Sequence, residues 1–341
     1  MTKKVIQYSS YLSLLTLLLC MLSGCSNDDS TPREAAKDEI RLTADVWRVM
    51  EGTRATTFDN QAALQSEGHF TCTLYNANTE TTYLTSTRVD WDSEANKWVF
   101  SDGTHRWPAT GALDFFVYMP SSSLPEYISD LTYVARNPRF TCTDLPMTYN
   151  SDSPTAGQGR GLKEFLYDLV IDQDKDNPGE TGVSLSFKHP FARIKFQLSA
   201  SHPDITINSI TFKGLKNGGT CTFNGSTSTW SSLTPSDKTE NFVMTLNGDA
   251  ATFNSNPNSE LPIGGYSDGA HQSVNILMVP QTFAGDIEVN ATWIDWGEPY
   301  AHIVTTKLAS ILWEAGHSYT YTFTITETDL RVDTQKYTEQ W

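Results

Sequence analysis

The sequence predicts an all-β fold of two tandem β-sandwich domains, on three observations. Two-residue alternation recurs along the chain while helical periodicity is nearly absent. The clearest run is Tyr319-Thr320-Tyr321-Thr322-Phe323-Thr324-Ile325-Thr326, with aromatic and aliphatic residues on one face and threonine on the other. Turn signals punctuate the alternating runs, among them Lys216-Asn217-Gly218-Gly219, Asn247-Gly248 and Asn256-Pro257-Asn258. A polar, charged stretch with a Pro-Gly pair, Asp172 to Glu180, falls near the middle of the chain. Many short strands punctuated in this way pack as sandwiches. The predicted domains run over residues 55–171 and 182–326.

Ahead of the first domain, Lys3 and Lys4 precede an apolar run from Tyr11 to Met21 that ends at Leu22-Ser23-Gly24-Cys25. A basic start, a short apolar core and small residues at a cut site form a secretory signal, here residues 1–24. Val5 to Leu22 is barely long enough to span a bilayer and contains Gln7, Ser9, Ser10, Ser13 and Thr16, so it is a poor membrane anchor. Leu-Ser-Gly-Cys has the form of a bacterial lipobox, in which Cys25 becomes the N-terminus and carries lipid on its sulfur. The segment 25–54 then reads as a lipidated pro-segment. It opens on the acidic tether Ser26-Asn27-Asp28-Asp29-Ser30 and contains one alternating run, in which Ile40, Leu42, Ala44 and Val46 are separated by charged or polar residues. That pattern is a half-buried strand. Glu51 to Thr57 follows, small and polar with Arg54 at its centre, and such stretches are preferred sites of proteolytic nicking.

Further strands are expected at Phe70–Tyr75, Trp98–Phe100 and Leu113–Tyr118 in the first domain. In the second they are expected at Val183–Phe187, Ile205–Phe212, Val274–Val279 and Ile287–Trp293. The tail, 327–341, alternates weakly. Leu330 and Val332 share a face that Thr334 and Lys336 continue poorly, and Tyr337 and Trp341 fall in the other register.

Composition narrows the function classes. The 341-residue chain carries a formal net charge of −16 and a sequence pI near 4.7. Nucleic acid and anionic lipid surfaces need a basic face, so neither is an expected partner. Cys72, Cys142 and Cys221 each sit in a Thr-Cys-Thr triplet with an apolar residue two positions away, as small core hydrophobes would. An odd number cannot all pair. No pair among the seven histidines has zinc-motif spacing, and no nucleophile elbow or phosphate-binding glycine loop is present. Asp172, Asp174 and Asp176 match the start of a calcium loop, but Asn177 stands where glycine is needed and Val183 where glutamate is needed. Neither a catalytic constellation nor a metal or cofactor site is expected. His189, between Phe187 and Phe191, reads as a hydrogen-bonded structural residue at a bend. Trp91, Trp98 and Trp107 could stack on sugars, which would make the protein a surface-tethered glycan-binding lipoprotein; the competing reading places them in the core.

The lipobox, the strand after it and Thr53-Arg54-Ala55-Thr56 ahead of Phe58 together resemble the fimbrillin family of Bacteroidales. The resemblance continues through Trp107-Pro108, Leu113 to Pro120, Phe187-Lys188-His189-Pro190-Phe191-Ala192-Arg193-Ile194, Val279-Pro280-Gln281-Thr282-Phe283 and Ala315 to Tyr321. It implies transthyretin-like sandwiches and a pilus subunit, accessory or tip pilin, without catalysis and supporting cell adhesion. It further implies travel to the outer membrane as a lipoprotein and cleavage between Arg54 and Ala55 by an Arg-specific protease. The strand carrying Ile40, Leu42, Ala44 and Val46 would leave, and an extended segment of another pilin subunit would fill the groove. The fimbrium is then the final location. Leu330, Val332, Tyr337 and Trp341 are the candidate donor-strand residues.

Overall fold

The expected runs Ile205–Phe212, Ile287–Trp293 and Tyr319–Ile325 lie in strands, and Val274–Val279 forms one only over Ile276–Met278. The computed structural model describes residues 38–46, 61–134, 136–153, 157–158, 162–176, 182–200, 204–225, 227–235, 241–254, 260–295, 298–307, 309–325 and 330–340. Among them a single short α-helix, α1 (Gln61–Glu67), and one 3-10 turn (Gly248–Ala250) interrupt an otherwise all-β chain. None of the described helices is long and apolar enough to cross a membrane.

The first sheet has seven strands: β1 (Leu42–Val46), β2 (His69–Asn76), β3 (Thr81–Asp92), β4 (Lys97–Phe100), β5 (Leu113–Met119), β9 (Leu166–Gln173) and β10 (Val183–Phe187). Their spatial order is β10-β1-β4-β3-β2-β5-β9. The second sheet joins β6 (Ile128–Val134) and β7 (Asn137–Cys142) to β13 (Lys216–Asn224) and β14 (Thr227–Pro235). Two larger sheets follow. One contains β11 (Ala192–Ala200), β17 (Glu260–Ser267), β18 (Ala270–Ser273), β19 (Ile276–Met278), β24 (His317–Ile325) and β25 (Leu330–Gln340). The other contains β8 (Thr148–Asn150), β12 (Asp204–Lys213), β15 (Asn241–Thr245), β16 (Thr252–Asn254), β21 (Asp286–Asp295) and β22 (Glu298–Lys307). The short pair β20 (Thr282–Phe283) and β23 (Ile311–Leu312) completes the set.

Three cores result. One is built on the first sheet, with Phe70, Trp98, Phe115, Leu185 and Phe187. Another lies among the strands of the two six-stranded sheets, with Phe196, Phe212, Trp313, Tyr321 and Phe323. The third joins residues from both halves of the chain, Phe116, Phe140 and Phe165 meeting Phe191, Cys221 and Phe223. β5 shows why Leu113-Asp114-Phe115-Phe116-Val117-Tyr118-Met119 reads as a nearly continuous apolar run. Leu113, Phe115, Val117 and Met119 enter the first core, and Phe116 and Tyr118 the third, so both faces are covered.

The strands expected on the two sides of Asp172–Glu180 interleave. Val183–Phe187, read as the start of the second domain, runs parallel to β1 in the first sheet. β7 pairs with β13, and β8 with β15, across the same point in sequence. A polar stretch of sequence can join elements of one domain as well as separate two.

Candidate strand-exchange site

β1 is built from five residues, and every second side chain from Ile40 to Val46 is buried. Ile40, Leu42, Ala44 and Val46 are each no more than 4 % exposed and belong to the first core, while Thr43 and Asp45 lie on the other face. The alternation seen in the sequence is thus the contact face of the strand.

Both edges of β1 are paired. On one side it runs parallel to β10 in a continuous register, from Leu42 opposite Val183 to Val46 opposite Phe187. On the other side Leu42 lies opposite Trp98 of antiparallel β4. The pairing extends ahead of β1, where the Ile40 amide donates to the His105 carbonyl at 2.9 Å and the Trp107 amide to the Asp38 carbonyl at 2.8 Å. Helix α1 adds the Gln61 side-chain amide, which donates to the Ala44 carbonyl at 3.4 Å, and the fully buried Leu64.

The walls of this slot are held by groups outside β1. At the far side of β10 the sheet nearly closes on itself. Tyr167 of β9 and Lys188, just after β10, exchange backbone hydrogen bonds of 3.1 and 2.7 Å. Asp168, 2 % exposed, completes this seam. Its carboxylate accepts from the Ser186 amide at 2.6 Å, from its neighbour Leu169 at 2.9 Å and from the Lys188 ammonium at 2.5 Å. Opposite, β4 is laddered to β3 from Val89–Phe100 to Asp92–Lys97, and Trp98 packs on Phe70 and Trp91 with centroids 4.9 and 5.2 Å apart.

Gly182 governs the close approach of β10 to β1. It has φ +103°, and a Cβ placed there would sit 2.4 Å from the Arg41 carbonyl oxygen, which accepts the Val183 amide at 2.8 Å. Gly182→Ala therefore combines left-handed strain with a backbone clash, and is expected to weaken β1 docking by about 1–3 kcal/mol. The measurement is amide hydrogen exchange, which should accelerate in residues 42–46 and stay unchanged in β24.

Of the other residues nominated by the sequence, Trp98 and Trp107 are buried in the first core, and Trp91 is half-buried against it. Trp98 and Trp107 thus pack inside and present no sugar platform. Leu330, Val332 and Tyr337 lie in β25, the outer strand of its sheet, opposite Ile325, Phe323 and Ser318 of β24. Val332 is half-buried against the core there. Cys25, Arg54, Ala55 and Trp341 lie outside the described residues.

Cys72, Cys142 and Cys221 are buried free thiols, and burial pushes all three pKa values up, that of Cys142 to about 12. His189 Nδ1 meets Glu164 Oε1 at 2.5 Å inside the protein. In the acidic stretch, Asp172 pairs with Arg136 at 2.8 Å and Asp174 accepts the Asp176 amide at 2.9 Å. The sequence reading did not identify β10, α1 or the Asp168–Lys188 pair as parts of the site. The alternation of Val183-Ser184-Leu185-Ser186-Phe187 marked a strand, and nothing local named its partner.

One short strand fills the slot between β10 and β4, and both neighbours are also held by contacts outside it. The family model for fimbrillin-like proteins matches residues 53–341. The chain belongs to the fimbrillin-like family. No curated protein matches it. Among solved structures, this fimbrillin is similar to a fimbrial protein of Bacteroides vulgatus, with TM-score 0.55 and 14% identity over 89% of this chain and 99% of that one. It is also similar to a proposed cell adhesion protein of Bacteroides ovatus, with TM-score 0.53 and 16% identity over 89% and 97% of the two chains. At these identities the likeness shows the fold. Family membership places the chain among structural fimbrial subunits at the cell surface, where they associate with other pilin subunits.

Proposed function

We propose that this fimbrillin is a pilus subunit that is exported as a lipoprotein through Cys25, matured by cleavage between Arg54 and Ala55, and assembled by strand exchange to support adhesion. β1 is the temporary occupant of its slot. After the cut it is held only by noncovalent contacts and leaves with the lipid, and an extended segment of another subunit takes its place. The position of β1 between β10 and β4 carries this reading.

Magnitudes explain why a tether is needed. Burying four apolar side chains yields on the order of 5–10 kcal/mol. Ordering about eight residues costs roughly 8–16 kcal/mol of backbone entropy. The ladder bonds and the penalty of an unpaired edge decide the balance. A strand continuous with its own domain, or one presented by a docked neighbour, is therefore favoured over a free peptide.

The test is the N-terminus of the surface-exposed protein, read by mass spectrometry. Ala55 without lipid is the expected start. A lipidated Cys25 would instead make the protein a permanently tethered surface subunit. Arg54→Ala is expected to abolish incorporation into pili, and a variant that still polymerises would refute maturation at this site.

A further inference from the structure

We infer that the strand this groove accepts comes from a different chain, as a segment with four apolar residues at alternate positions of which the third is small, and that a second copy of this fimbrillin is a poor donor. The inference rests on the strand-exchange reading above.

The groove sets a pattern. β1 fills it with Ile40, Leu42, Ala44 and Val46, all buried. The third position holds only a methyl group, opposite Leu185, with the amide of Gln61 on its carbonyl. The fourth lies opposite Phe187, which packs on Phe70 with ring centroids 5.3 Å apart. A donor must therefore be large, large, small and medium at alternate positions and carry no charge on that face.

The tail of this chain does not meet that pattern in any phase. Placing Arg331, Asp333 and Gln335 inward puts charges into an apolar slot. Placing Leu330, Val332, Thr334 and Lys336 inward puts an ammonium at the position of Val46, against Phe187. Sliding by two residues puts Thr328 and Thr334 at the ends and Val332 into the alanine site, leaving only Leu330 matched in kind. Each misfit site weakens binding by about tenfold or more.

The tail also has another place. It is zipped along β24 from Leu330 opposite Ile325 to Gln340 opposite His317, beside the buried Tyr319, Tyr321 and Phe323. A copy donating its tail would first have to release that ladder and leave β24 as an open edge. A partner subunit whose donor segment has the required alternation has neither handicap.

The experiment uses the full chain cut after Arg54, with β1 still seated, and follows displacement of β1 by fluorescent peptides. The peptides are residues 38–48, residues 328–341, and the latter carrying Val332→Leu, Thr334→Ala and Lys336→Val, which restores the pattern. The 38–48 peptide and the redesigned tail are expected to exchange in, with the native tail at least a hundredfold weaker. A native tail that binds as well as the 38–48 peptide would overturn the inference while leaving strand exchange intact. Failure of the 38–48 peptide itself would remove the underlying reading and the inference with it.

Discussion

Asp168→Ala is expected to destabilise the first sheet by about 2–4 kcal/mol. The carboxylate is 2 % exposed and does the work of several ladder bonds where the sheet meets its own far end. It binds the Ser186 amide and the Lys188 ammonium together. Removing it strands a backbone N–H and leaves an uncompensated ammonium. Breaking one partner of a buried pair costs roughly 3–5 kcal/mol. The lower range applies here because the Lys188 side chain is 15 % exposed and its amine can swing towards water. Denaturant unfolding measures the loss. Combining Asp168→Leu with Lys188→Met removes both charges and is expected to recover the part of the loss due to the uncompensated ammonium, leaving the cost of the unpaired Ser186 amide. Single variants with unchanged stability would mean that β10 is held by its backbone bridge and its core residues alone. The seam matters for assembly because β10 is one wall of the slot. If the seam fails, the slot closes or frays once β1 leaves, and no donor finds two aligned edges.

This seam also shows where the sequence is legible and where it is not. Alternation located β1, β12 and β21, because in each a single buried face imposes a period of two, while β2, β5 and β24, buried on both faces, were located by their runs of strand-forming residues. It located β10 as well. It could not pair β10, because Val183 and Leu42 are far apart in sequence and meet only through the parallel register. The polar stretch at Asp172–Glu180 therefore read as a domain boundary, whereas the strand beyond it returns to the first sheet. The tryptophans were ambiguous for a similar reason. Trp98 and Trp107 have strand-like settings, and only the position of β1 beside them and the packing of Phe70 and Phe115 place them inside. Asp168 carried no signal in an acidic chain, since its role comes from a backbone amide and an ammonium some twenty residues away.

Leu42→Asp is expected to eject β1 without any cleavage. The Leu42 side chain is 4 % exposed in the first core, opposite Val183 on one strand and Trp98 on the other. An isolated carboxylate in that position has no cation among its strand partners, and keeping it there costs more than the whole strand contributes by burial. The cheaper outcome is to release β1, because the slot walls are secured by Asp168–Lys188 on one side and by the β3–β4 ladder on the other. The intact full-length variant then presents the open groove that maturation is proposed to create. Size-exclusion chromatography with crosslinking is expected to show strand-mediated oligomers with a suitable donor subunit present, and the 38–48 peptide should bind at once. Leu42→Ala at the same site removes side-chain volume without adding charge. It should loosen β1, at a cost of about 2–5 kcal/mol, while leaving the groove filled. The pair separates two causes: if both variants stay closed to the peptide, β1 is a permanent strand of the sheet, and if only the aspartate opens it, burial of its apolar face is what keeps the subunit from assembling before its time.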